Sequence, residues 1–314
     1  MYYSYMYLLR LSTLFICTML FALEPIAPLP THVDHLDLEK AKLGRTLFFD
    51  PQLSSDETIS CHSCHSFDKG GADPRVVSIG VEGRKGSIQS PTVYNAVYNF
   101  KQFWNGRAEN LSEQAKGPLS DHSEMNMSPQ ELEKRFNNNQ GYQETFSKIY
   151  HTKQIKYEHI IDAIAEFEKA LVTPNSRFDQ YLRGEIILTK EEKKGYATFK
   201  SLGCITCHNG INIGANSFQK IGLFRPYPYD PKYQDRYALT HKTYHKNVFK
   251  VPTLRNITLS APYFHDARAK TLNEAIEKMA YHNLGIDITE EEIKSIILFL
   301  KSLEGEQPKI LDME

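Results

Sequence analysis

The chain has little of several things. Its 37 basic and 38 acidic residues leave a formal net charge of -1, so there is no overall basic field to draw nucleic acid. The apolar run at residues 11–23 ("LSTLFICTMLFAL") is too short for a comfortable membrane span. Strand-like alternation is scarce. There is one tryptophan, Trp104, against 18 tyrosines and 17 phenylalanines. Cysteines number five, and all but Cys17 fall in two copies of one pattern. With 41% hydrophobic and 24% charged residues the chain is nonetheless globular in composition, long enough for two ordinary domains or one large one.

The repeated pattern is "CHSCH" at 61–65 and "CITCH" at 204–208. A disulfide does not call for a histidine at the same place twice. A zinc site needs four ligands close together, and each copy lacks the fourth. A thioredoxin-like thiol pair needs a βαβ context, which is absent. Cys-x-x-Cys-His is the attachment motif of c-type haem: each thiol bonds one vinyl group and the adjacent histidine ligates the iron. Two haems are therefore expected, on Cys61, Cys64 and His65, and on Cys204, Cys207 and His208.

Residues 1–27 have the make-up of a signal peptide or N-terminal anchor, with Arg10 before the apolar run and no clean Ala-x-Ala site after it. Cys17 reads as an unpaired cysteine of that segment, since Phe15 and Ile16 before it make a poor lipid-attachment site. Ser128–Glu131, Thr189–Glu192, Thr271–Glu274 and Thr289–Glu292 have the form of helix-opening capping boxes. Residues 158–171 and 290–303 place their isoleucines, Phe167, Leu171 and Leu300 at helical spacing. Residues 209–250, rich in tyrosine and proline, read mostly as loop. The expected class is all-α with long loops, as two c-type cytochrome domains at 28–183 and 184–314, each around one covalently attached haem. By pattern alone Met279 is a core residue and Glu124 a solvated loop residue.

From about residue 36 to about residue 305 the chain resembles the bacterial di-haem cytochrome c peroxidases. The resemblance rests on "LGRTLFFDPQLSSDETISCHSCH", "SPTVYNAVYN", "FWNGRAENLSEQAKGPLSDHSEM", "GYATFKSLGCITCHNG", "FKVPTLRNITLSAPYFHDA" and "TLNEAIEKMAYHNLG" together. It implies a periplasmic enzyme, as a homodimer, that reduces hydrogen peroxide to water with electrons from a small redox protein, a cytochrome c or a cupredoxin. It implies Glu124 as the distal acid–base group, Gln114 as the distal amide and Trp104 on the path between the haems. Arg107 is expected at a haem propionate, with a surface salt bridge as the alternative. Met279 is implied as the second axial ligand of the C-terminal haem, where electrons enter; its thioether favours ferrous iron. The N-terminal haem is then the peroxidatic one. Two other readings compete: a non-enzymatic di-haem electron carrier, for which Glu124 and Gln114 have no use, and a related oxidase acting on a partner protein, against which Met279 counts.

The chain departs from that pattern in two places. Val81 stands where many members carry a distal histidine, and valine cannot ligate iron, so the peroxidatic site is expected open at rest; His122 is the alternative ligand. The family's calcium site, an asparagine side chain with backbone carbonyls, corresponds to Gln89, Ser260 and Pro262, and glutamine's longer reach moves the donor. His265 is implied near the second haem, with core packing as the alternative. His241 and His245 share an i, i+4 spacing in a loop, where no metal is expected.

Overall fold

In the computed structural model, which describes residues 24–313, helices carry the fold and strands are few. The first half contains α1 (Leu38–Phe49), α2 (Leu111–Ser120), α3 (Pro129–Asn137), α4 (Gln140–Tyr150) and α5 (Tyr157–Ala170). Their starts are chemically marked. Asp37 caps α1 by accepting from the Lys40 N–H, and Asn110 caps α2 through the Glu113 N–H. Ser128 and Glu131 form a reciprocal box at α3, with Pro129 in the first helical position. The α5 stripe buries Ile160, Ile161, Ile164 and Phe167. This helix crosses α1 at Gly44, where an added Cβ would stand 1.8 Å from the Ala163 carbonyl oxygen, so only glycine permits the crossing.

The second half contains α6 (Arg177–Leu182), α7 (Lys190–Ser201), α8 (Arg236–Thr240), α9 (Leu272–Met279) and α10 (Glu290–Lys301). Here α7 crosses α10 by the same device, a Cβ on Gly195 falling 2.1 Å from the Ser295 carbonyl oxygen. The repetition runs deeper than the cysteine motif. Pro91-Thr92 leads to Asn95 as Pro252-Thr253 leads to Asn256, and both asparagines have left-handed backbone. Residues 103–108 (FWNGRA) then correspond to 264–269 (FHDARA), each closed by one isolated bridge, Gln102 to Ala108 and Tyr263 to Ala269. Trp104 and His265 are thus equivalent positions of two copies of one unit.

Two main cores result. Leu43, Leu47, Phe136, Phe146, Ile160 and Ile164 build the first; Phe178, Tyr196, Phe199, Ile296 and Phe299 build the second. The tails cross over: Ile26 packs into the second core, while Ile310 joins Ala41, Phe48 and Phe167. Phe178 shows that the second core draws on residues before the expected boundary at 183/184. A buried polar seam links the halves. Asn95 and Asn256 both donate to the Thr173 hydroxyl, at 2.8 and 2.7 Å, and Asn212 donates to the Asn95 carbonyl at 3.2 Å.

The stretch at 209–250 is mostly loop but contains α8 and an antiparallel pair, β1 (Phe218–Lys220) with β2 (Val248–Lys250). Three-residue strands are too short for alternation to betray them. No helix among the described residues is long and apolar enough to cross a membrane. The expected leader lies, up to residue 23, outside the described residues.

Candidate active site

Each cysteine motif forms a tight 3-10 turn that brings its histidine back under the first cysteine. The His65 N–H bonds the Cys61 carbonyl at 3.0 Å, and the His208 N–H bonds that of Cys204 at 3.1 Å. The four thiols are unpaired. Burial pushes them all up, Cys204 to about 11, the opposite of the lowered pKa that a thiolate redox pair needs. Among the described residues no three His, Cys, Asp or Glu side chains are grouped to hold a metal ion.

Both histidines are half-buried and held neutral, the form that binds iron; desolvation takes His208 down to about 4. Nδ1 of His65 lies 3.2 Å from the Gly71 carbonyl, a contact that places the proton on Nδ1 and leaves Nε2 free to ligate. Nδ1 of His208 faces the backbone of Ile213 and Pro252 without a well-formed hydrogen bond.

Two cavities open over these turns. One of about 50 Å3 is lined by Cys61, Cys64, His65, Gln114, Glu124 and Glu168. The other, of about 370 Å3, runs from His65 past Trp104 and Arg107 to Cys204, Cys207, His208 and Met279. The larger has the volume of cofactor clefts, roughly 300–1,000 Å3. Paired thiols, a neutral histidine and a mostly apolar wall fit a haem in each half. Met279 ends α9, whose start Thr271 caps by accepting from the Glu274 N–H, and packs against the cluster of Ile221, Tyr227, Tyr233 and Phe249.

Glu124 sits in the turn after α2, with Gln114 on that helix. Burial pushes the Glu124 carboxyl up to about 7; Asp121 adds to the shift and Arg107 opposes it. Arg107 borders the cavity with its guanidinium 3.3 Å from the centroid of the Phe103 ring, and burial lowers its pKa. Trp104 is fixed at both ends: its indole N–H donates to the Gln89 carbonyl at 2.8 Å, and its own carbonyl accepts from the Lys250 N–H at 2.7 Å. Its ring meets that of His265 edge-on at 6.2 Å, so the two equivalent residues touch at the seam. His265 is buried and pushed down to about 4.

Val81 is fully buried in the turn 81–83. Its N–H bonds the Glu124 carbonyl at 2.9 Å, so this loop braces the turn that carries Glu124. His122 lines neither cavity. It is exposed, and Arg84 donates to its Nδ1 and to its carbonyl, both at 2.9 Å, which puts the proton of the neutral ring on Nε2. Gln89, Ser260 and Pro262 line the large cavity together, and the Gln89 amide donates to the Asp73 carbonyl at 3.3 Å. The Nδ1 of His245 is taken by the Thr240 hydroxyl at 2.7 Å.

Two buried ionisable residues on the cavity wall escaped the sequence reading, Lys250 and Glu168. Glu168 is 5% exposed, its Oε2 has no partner, and burial alone pushes it up to about 8. The sign of it was present: Glu168 follows Ile161 and Ile164 at helical spacing, a carboxyl inside an apolar stripe. A folded pKa above the ordinary carboxyl value means that, as pH rises from about 4.5 toward 8, the unfolded chain sheds a proton the folded chain keeps. Stability therefore falls across that window. Glu168→Gln is expected to remove this fall and to gain a few kcal/mol over the parent at pH 8, at about 1.4 kcal/mol per pKa unit. Urea midpoints of both holoproteins at pH 5 and pH 8 measure it; a gap that does not widen with pH contradicts it.

A family model described as di-haem cytochrome c peroxidase matches residues 38–186. The chain is 43% identical to a cytochrome c551 peroxidase of Nitrosomonas europaea over 91% of its own length and 85% of that protein's. It is 38% identical to a cytochrome c551 peroxidase of Pseudomonas aeruginosa over 90% of this chain and 85% of that one. Among solved structures it is similar to a MauG-like protein associated with microbial copper homeostasis, with a TM-score of 0.76 and 28% identity over 90% of this chain and 93% of that one.

Proposed function

The chain belongs to the di-haem cytochrome c peroxidase family, and from that premise we propose that it reduces hydrogen peroxide by H2O2 + 2e− + 2H+ → 2H2O, with a small periplasmic cytochrome c or cupredoxin as donor. The observation that carries this reading is the first cavity, where a carboxyl with a pKa near 7 and a neutral amide share one wall with the histidine of a Cys-x-x-Cys-His turn. Cys61, Cys64 and His65 would hold a haem, which would supply the redox chemistry for peroxide reduction. Glu124 takes the proton from one peroxide oxygen and returns it to the other. Gln114 orients the substrate by hydrogen bonding and cannot itself titrate. Trp104, held rigid by Gln89 and Lys250, stands on the path between the two halves. Cys204, Cys207, His208 and Met279 would hold the second haem, which would receive electrons from the donor. Arg107 serves a haem propionate. Calcium at Gln89, Ser260 and Pro262 belongs to the same proposal, as does a homodimer. With only neutral donors there, calcium binding would be weak.

Val81 and the outward-turned, Arg84-bound His122 support a first site that is open without prior reduction. Fully oxidised holoprotein is expected to turn over peroxide, followed by oxidation of a reduced small cytochrome c, at once and at the rate of half-reduced protein. Turnover only after half-reduction would overturn the open site and keep the peroxidase. No turnover in either state, with haem loading verified, would favour a pure electron carrier.

A further inference from the structure

Lys250 closes β2 and is 8% exposed, yet among the described residues its ammonium has no hydrogen-bonded or ion-paired partner. It lines the large cavity. Burial alone takes it down to about 8, with no carboxylate close enough to act on it, although Asp121, Glu124 and Glu168 line the same cavity. An isolated buried ammonium costs several kcal/mol unless a counter-charge reaches it. None of these carboxylates reaches it, so a negative charge on the group that fills the cavity would supply the missing partner. Lys220, which pairs with Val248 at the other end of the ribbon, is exposed and free to meet solvent, so it does not share this predicament. The chain runs from Lys250 through Val251 to Pro252, whose backbone faces His208. The Lys250 N–H is at the same time bonded to the Trp104 carbonyl. Lys250 is thereby anchored beside the second Cys-x-x-Cys-His turn and against the residue on the seam.

We propose that Lys250 is the anion-binding residue of this cavity, its ammonium paired with a carboxylate of the haem carried by Cys204, Cys207 and His208. The proposal rests on the haem reading of that turn. Haem carries two carboxylates, and a carboxylate-to-ammonium contact satisfies both partners at once. The pairing has an electrical consequence. The ammonium offsets a negative charge beside the iron, and without it that charge favours the ferric state.

The test uses holoprotein of the parent, Lys250→Met and Lys250→Arg, with Lys250→Gln replacing the methionine variant should that one load haem poorly. Spectroelectrochemical titration reads the midpoint of each haem separately. The expected result is a downward shift of the second-site haem in the methionine or glutamine variant, restoration in the arginine variant, and an unmoved first-site haem. An unmoved second-site haem overturns the proposal, and so does a shift confined to the first-site haem. A parent protein with no c-type haem spectrum at the second turn would instead sink the haem reading itself, which separates the two failures.

Discussion

Glu124→Gln is expected to lower kcat/KM for peroxide by about 100- to 10,000-fold, the range that a positioned general acid–base group supplies. Haem loading and the resting spectrum of the second site should not change. Glutamine keeps the size and polarity of the side chain but cannot take a proton from peroxide. The same variant should erase a limb of the pH profile. Burial raises the Glu124 carboxyl to about 7, so the carboxylate that accepts the proton is lost as pH falls through that value. In the parent, kcat/KM should therefore decline below about pH 7; in the variant the residual rate should be flat there. Asp121 raises this pKa by like-charge repulsion, so Asp121→Asn should move the limb to lower pH without removing it. Full activity in Glu124→Gln would show that peroxide is deprotonated elsewhere, and Glu168, on the same cavity wall, would be the next carboxyl to test.

The parts of this site that could be read from the sequence are those written in adjacent residues. Two Cys-x-x-Cys-His turns announce themselves because the chemistry demands that spacing. Ser128–Glu131, Thr189–Glu192 and Thr289–Glu292 are reciprocal capping boxes in the structure because both partners lie within one helical turn. Thr271 caps α9, but Glu274 reaches back to the Lys270 N–H and not to the cap itself. What was not legible depends on contacts across the chain. Glu124 has a raised pKa only because the fold desolvates it beside Asp121, against the pull of Arg107. His122 could be weighed as a ligand until Arg84, 38 residues away, is seen to hold it at the surface. Lys250 looks like any loop lysine until the cavity leaves it without a partner. The correspondence of residues 103–108 with 264–269 was hidden for another reason. The backbone turn is preserved, while the side chain at its centre changes from tryptophan to histidine.

Arg255→Ala is expected to be the most destabilising single change, at about 3–5 kcal/mol, the cost of stranding one member of a buried ion pair. Arg255 is 1% exposed and binds Asp179 through both terminal nitrogens, each at 3.0 Å. Its Nε donates to the Ile211 carbonyl at 2.7 Å and an Nη to the Ala27 carbonyl at 3.1 Å. Asp179 in turn accepts from the Leu29 N–H at 3.0 Å and the Ser176 hydroxyl at 2.7 Å. One planar fork thus joins the incoming tail, the start of α6 and the chain just past His208. Lysine has a single ammonium and cannot reproduce the fork, so Arg255→Lys should recover only part of the loss. Replacing both partners by apolar residues, Arg255→Met with Asp179→Leu, should cost less than Arg255→Ala alone, because no charge is then left buried without a partner. Chemical unfolding of the holoproteins orders these variants. The loss is a large fraction of a typical 5–15 kcal/mol total, so Arg255→Ala should also leave residues 25–29 open to proteolysis under conditions where the parent resists. A loss under about 1 kcal/mol, the size of an exposed pair, would mean that water reaches this fork and that the tail is held by Ile26 and Leu29 packing alone.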